Sequence, residues 1–79
     1  MIVEFEHSNE TRSCLGEAQT KEEAWKLIND FLAKCDYKAP YFRVNPIWEE
    51  HRIWIDAGSH TEFFYICGLT DEEMKEFFK

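Results

Sequence analysis

The chain has 79 residues, 44% of them hydrophobic and 16% aromatic, and a formal net charge of −7. That length holds one domain with a thin core, and the aromatic content excludes an acidic disordered chain. An acid excess is the wrong sign for phosphate backbones or anionic membranes, and no apolar run reaches the about 20 residues of a membrane span.

The opening Met1-Ile2-Val3-Glu4-Phe5-Glu6 has no basic segment and no small-residue cleavage site, so no signal peptide is expected. Cys14, Cys35 and Cys67 are odd in number and widely spaced. A secreted domain this small usually carries an even cysteine framework, so a reducing cytoplasm is the expectation. Cys35 and Cys67 fall in apolar patterns and read as small core residues, with Cys14 exposed.

Residues 2–6 alternate from Val3 onward and predict a short strand, Val3 and Phe5 on one face and the acids on the other. Residues 7–19 are polar with few anchors. They read as a loop that folds over part of the sheet or extends a hairpin through Ser13-Cys14-Leu15. Thr20-Lys21-Glu22-Glu23 has the spacing of a capping box, in which the Glu23 carboxylate returns to the Thr20 amide. A helix is predicted from there to about Asp36, its apolar stripe made of Ala24, Ile28, Phe31 and Cys35, with Leu27 and Leu32 flanking and Trp25 at the edge.

Tyr41-Phe42-Arg43-Val44 reads as a strand stopped by Asn45-Pro46, and residues 51–56 and 61–67 as two more. A two-residue turn at Gly58-Ser59 would pair Ile55 with Glu62 and Ile53 with Phe64. Ile53, Ile55, Phe64 and Ile66 then share one face, and Arg52, Trp54, Asp56, Thr61, Phe63 and Tyr65 the other. Leu69-Thr70-Asp71-Glu72-Glu73-Met74 opens a second helix with a capping box and a hydrophobic staple, burying Met74, Phe77 and Phe78. The expectation is a single α+β domain over residues 1–79, in the order β-α-β-β-β-α. Its antiparallel sheet carries two helices packed mainly on one face.

Two short helices cover only one face of such a sheet. The other presents Trp54, Phe63, Tyr65 and Tyr41 with Arg43 and Arg52 among them, residue types that dominate interface hot spots. Aromatic sheet faces also read nucleic acid, but with positive charge around them, which a net −7 does not supply. The acids Glu22, Glu23, Glu72 and Glu73 would instead steer the chain toward basic surfaces. Asp56, Ser59, His60 and Glu62 cluster at a hairpin tip and suggest a small hydrolase or metal site. They lack an oxyanion element or ligand spacing, and a turn explains them. No catalytic residue, metal ligand or cofactor is therefore assigned. Two free sheet edges, with His51 beside Glu49 and Glu50, leave pairing with a second copy as the alternative.

In size, acidity and element order, and with its Gly58-Ser59-His60-Thr61-Glu62-Phe63-Phe64 stretch, the chain resembles small uncharacterised proteins of phages and mobile elements. It is similar in kind to anti-CRISPR proteins. That resemblance carries no residue-level motif. It implies a protein partner rather than a substrate, in particular a nucleic-acid-binding enzyme whose DNA groove is occupied. The reading is a small acidic protein-binding module, an inhibitor or adaptor, with a homodimeric structural domain as the alternative.

Overall fold

The structure, a computed structural model, describes residues 1–7, 12–59 and 61–78. Five strands, β1 (Ile2–His7), β2 (Arg12–Glu17), β3 (Arg43–Ile47), β4 (Arg52–Asp56) and β5 (Glu62–Cys67), form one sheet with two helices, α1 (Lys21–Lys34) and α2 (Asp71–Glu76). The strand order is β2-β1-β5-β4-β3, antiparallel at every pairing. The α+β class holds. The sheet has five strands rather than four, because part of segment 7–19 is β2, paired with β1 as the hairpin alternative through Ser13-Cys14-Leu15 had it.

β2 and β3 are the opposite edges of the sheet, four strand spacings or about 19 Å apart. A 14-residue helix is about 21 Å long. α1 and the connection after it carry the chain from one edge to the other, and α1 lays Ala24, Ile28 and Leu32 on the face beneath it. That face is built from Val3 and Phe5 of β1, Ile53 and Ile55 of β4, and Phe64 and Ile66 of β5, with Val44 packed at its margin. Leu69, Met74 and Phe77 close the far end. The staple partners Leu69 and Met74 are both buried, whereas Phe78, expected inside, is 42% exposed because α2 has ended at Glu76.

Both helices start as their sequences dictate. At α2 the box closes in both directions, the Glu73 amide donating to Thr70 Oγ1 at 3.1 Å and the Thr70 amide to Glu73 Oε1 at 2.9 Å. At α1 the Thr20 hydroxyl accepts from the Glu23 amide, but the Glu23 carboxylate accepts from the Gln19 amide, one residue before the position expected.

The end of α1 corrects a second expectation. Asp36 adopts a left-handed φ of 54°, its amide donates to the Ala33 carbonyl, and the Tyr37 amide reaches back to the Leu32 carbonyl. This is a Schellman turn with a non-glycine residue at its left-handed position. It stops the helix at Lys34 and turns Cys35 outward, so that Cys35 is exposed instead of lining the core.

β3 begins at Arg43, after Tyr41 and Phe42, and runs through Asn45 and Pro46 rather than stopping at them. Proline is tolerated there because β3 is an edge strand with one side unpaired. The β4–β5 pairing sets Ile53 against Ile66 and Ile55 against Phe64, a register two residues away from the expected one. Side chains alternate with period two, so the slip leaves every side chain on its expected face.

Candidate functional site

The face of the sheet turned away from the helices is laid out in cross-strand rows. One row runs Arg43, Asp56, Phe63, Glu6 and Arg12 across the five strands, and the next runs Asn45, Trp54, Tyr65, Glu4 and Cys14. Trp54, Phe63 and Tyr65 occupy the centre, each partly exposed. The Trp54 and Phe63 rings lie 5.1 Å apart and tilted. α1 and α2 bury their apolar residues against the opposite face.

Arginines pack against the tyrosines of this region. Arg12 stands 4.3 Å from the Tyr65 ring centroid and Arg52 5.2 Å, while Arg43 stands 5.1 Å from the Tyr41 ring. Each arginine thus stacks on a tyrosine, a geometry that favours the guanidinium over an ammonium. Arg12 also approaches Glu4 at 3.6 Å and Glu6 at 3.8 Å, and Arg52 pairs with Glu50 at 2.9 Å. Burial, a hydrogen bond to Glu6 and the Glu6 charge raise the Tyr65 phenol above its ordinary range, against the lowering pull of Arg12 and Arg52.

The chain's only arginines are Arg12, Arg43 and Arg52, and all three lie on this face. The described lysines, Lys21, Lys26, Lys34, Lys38 and Lys75, belong to the helices and the α1–β3 connection. That segregation was not visible before the fold was known, since Arg12 fell in the segment read as a loop. β2 hid because its register with β1 shifts between Val3 and Glu4, leaving Leu15 as an extra residue that packs against the core and breaks the alternation.

The structure therefore brings Trp54, Phe63, Tyr65 and Arg52 together, with Tyr41 exposed at the β3 margin. Glu22, Glu23, Glu72 and Glu73 do not join them. They sit in the first turns of α1 and α2, on the opposite layer, and the carboxylates of Glu23 and Glu73 are engaged in helix capping. His51 does not lie at a sheet edge, because β4 is internal; its Nε2 meets Asp71 of α2 at 3.2 Å.

At the hairpin tip the Gly58 amide donates to Asp56 Oδ1 at 2.9 Å and the Thr61 amide to Ser59 Oγ at 3.3 Å, the local bonds of a turn. His60 lies outside the described residues. Among the described residues, no group of three or more His, Cys, Asp or Glu is arranged to hold a metal ion, and no helix is long and apolar enough to cross a membrane.

The three cysteines differ sharply. Cys67 is partly buried on the open face and its thiol donates to Glu4 Oε1 at 3.4 Å. Burial, that bond and the Glu4 charge push its pKa from 9.0 up to about 11. Cys14 and Cys35 are exposed. Iodoacetamide at pH 8 should label Cys14 and Cys35 rapidly and Cys67 only in denaturant, with mass spectrometry of the peptides as the readout. Equal rates at all three would refute the Glu4 contact. The folded protein keeps a proton here that the unfolded chain has lost, so this group's stabilisation is complete below about pH 9 and lost as pH rises through about 11.

The architecture defines a small α+β protein with one helix-covered sheet face and one open aromatic–arginine face. Comparison with protein-family models, curated proteins and solved structures finds no match to the chain.

Proposed function

We propose that the chain is a small protein-binding module that docks a partner protein on the open face of its sheet. The observation that carries this reading is the gathering of Trp54, Phe63, Tyr65 and all three arginines on the one face the helices leave free. Protein interfaces are enriched in aromatic residues and arginine and depleted in lysine. A face already ordered by Arg–Tyr stacking also loses little side-chain entropy on docking.

The finer reading is a phage-type inhibitor or adaptor that occupies a basic, nucleic-acid-binding surface of its partner. It draws support from the net charge of −7 and from the acids of the two helix starts. Those acids lie on the layer opposite the aromatic face, so one flat partner surface meets one set or the other.

The experiment is capture of the partner by tagged protein, with two variants compared against the parent. Trp54→Ala should leave cooperative unfolding intact and weaken capture at least about tenfold, as for an interface anchor. Joint replacement of Glu22, Glu23, Glu72 and Glu73 by glutamine should leave capture by the sheet face nearly unchanged. A Trp54→Ala protein that does not fold, or that captures as well as the parent, would overturn the sheet-face reading. Loss of capture in the glutamine variant alone would move the interface to the helix layer. Concentration-dependent sedimentation without any other partner would make the face a homodimer interface.

A further inference from the structure

On the helix side of the sheet, a cavity of about 370 Å³ opens between the last turn of α1 and the β4–β5 hairpin tip. That volume lies at the lower end of the about 300–1,000 Å³ usual for small-molecule sites. Its apolar wall is Phe5, Phe31, Leu32 and Phe64, and its polar groups come from His7, Ser59 and Glu62. The three phenylalanine rings form a connected cluster, with centroids 4.5 Å apart for Phe5–Phe31, 5.5 Å for Phe5–Phe64 and 5.9 Å for Phe31–Phe64. The Tyr37 hydroxyl, on the same wall, donates to the Ala57 carbonyl at 2.9 Å and so fixes the hairpin tip to the helix end. The cavity is framed by covalently distant parts of the chain that are tied together.

We propose that this cavity binds a small aromatic amine, its ring against the phenylalanines and its ammonium at Glu62. Three observations select the chemistry. Among the described residues, Glu62 is the acidic group in the lining, and neither lysine nor arginine contributes to it. Glu62 is loosely held: its Oε1 stands 3.5 Å from His7 Nε2, and its Oε2 accepts from Ser59 Oγ at 3.4 Å. A carboxylate has about four acceptor sites, so contacts this long leave it capacity for an ammonium. Finally, the faces of aromatic rings attract cations, whereas a carboxylate-bearing ligand would meet both the ring faces and Glu62 with the wrong sign. This site is on the opposite layer from the aromatic–arginine face, so the two proposals stand or fall separately.

The test is an amide-resolved NMR titration of the full chain at pH 7.5 with three probes of one shape: 2-phenylethylamine, 2-phenylethanol and 3-phenylpropanoate. The expected result is saturable shifts confined to the cavity wall, with the amine bound about tenfold more tightly than either other probe, as for one charge-assisted hydrogen bond. Glu62→Gln should remove that preference while leaving the alcohol unaffected, and Cys35→Trp, placed at the exposed lip, should block all three. No saturation by about 10 mM, equal affinity for the three probes, or a preference for the carboxylate would each overturn the proposal. Should Cys35→Trp fail to fold, the Glu62→Gln comparison decides alone.

Discussion

Phe64→Ala should abolish the cooperative urea transition or lower its midpoint by more than half. Phe64 is 1% exposed at the centre of the helix-covered face. Its ring packs on Phe5 and Phe31, and its strand position sits beside Ile55 and Phe5 in one cross-strand row. Truncating a buried phenylalanine costs about 3–5 kcal/mol through lost transfer energy and the cavity left behind. A 79-residue domain has about 4–12 kcal/mol of stability in all, and a thin core places this one toward the lower end. Phe63→Ala is the control one residue away. Phe63 points to the open face, where its main partner is the Trp54 ring. Its loss should cost only about 1 kcal/mol, the worth of an exposed aromatic pair. Equal costs at the two positions would mean that the open face is part of the core, and the proposed docking surface would go with it.

That contrast rests on which face each residue occupies, and here the sequence was informative for a specific reason. Alternation assigns faces by parity alone, so a two-residue error in the β4–β5 register displaced the pairs without exchanging Phe63 and Phe64. The helix starts were equally legible, because Thr20 and Thr70 act on amides only three residues away. What escaped was whatever depended on irregular backbone or on distant chain. The bulge at Leu15 erased the pattern of β2, and the left-handed Asp36 ended α1 at Lys34, two residues sooner than expected. Both errors bear on the candidate sites. The first concealed Arg12, one of the two guanidiniums stacked on Tyr65. The second placed Cys35 in the core when it stands at the lip of a cavity. The aromatic centre of the open face followed from local pattern, while its arginine frame required the sheet to be assembled. The acids show the converse: two of the four expected to steer a partner are engaged in capping their own helices.

Gly58→Ala should destabilise the protein by about 2–5 kcal/mol, the sum of two effects that a second glycine separates. Gly58 has a φ of +86°, where an L side chain is strained by about 1–2 kcal/mol. A Cβ there would also stand 2.7 Å from Pro40 Cγ and 2.9 Å from Pro40 Cδ, with the Tyr37 hydroxyl oxygen at 3.4 Å. The proline ring is rigid and cannot swing away as a long side chain would, so the α1–β3 connection or the hairpin tip must shift. Overpacking of this kind typically costs about 1–3 kcal/mol more. Gly68 has a similar φ of +71°, and a Cβ there meets nothing within 4 Å. Gly68→Ala should therefore show the strain alone, about 1–2 kcal/mol. Urea denaturation of both variants measures the difference, and equal losses would mean that Pro40 does not seat against the tip. The physical content of that seating is wider than one turn. Ala57 beside Gly58 accepts the Tyr37 hydroxyl, and Tyr37 is itself set by the left-handed turn at Asp36. A glycine that admits Pro40, a helix end that delivers Tyr37 and a hairpin that receives it hold the cavity wall together.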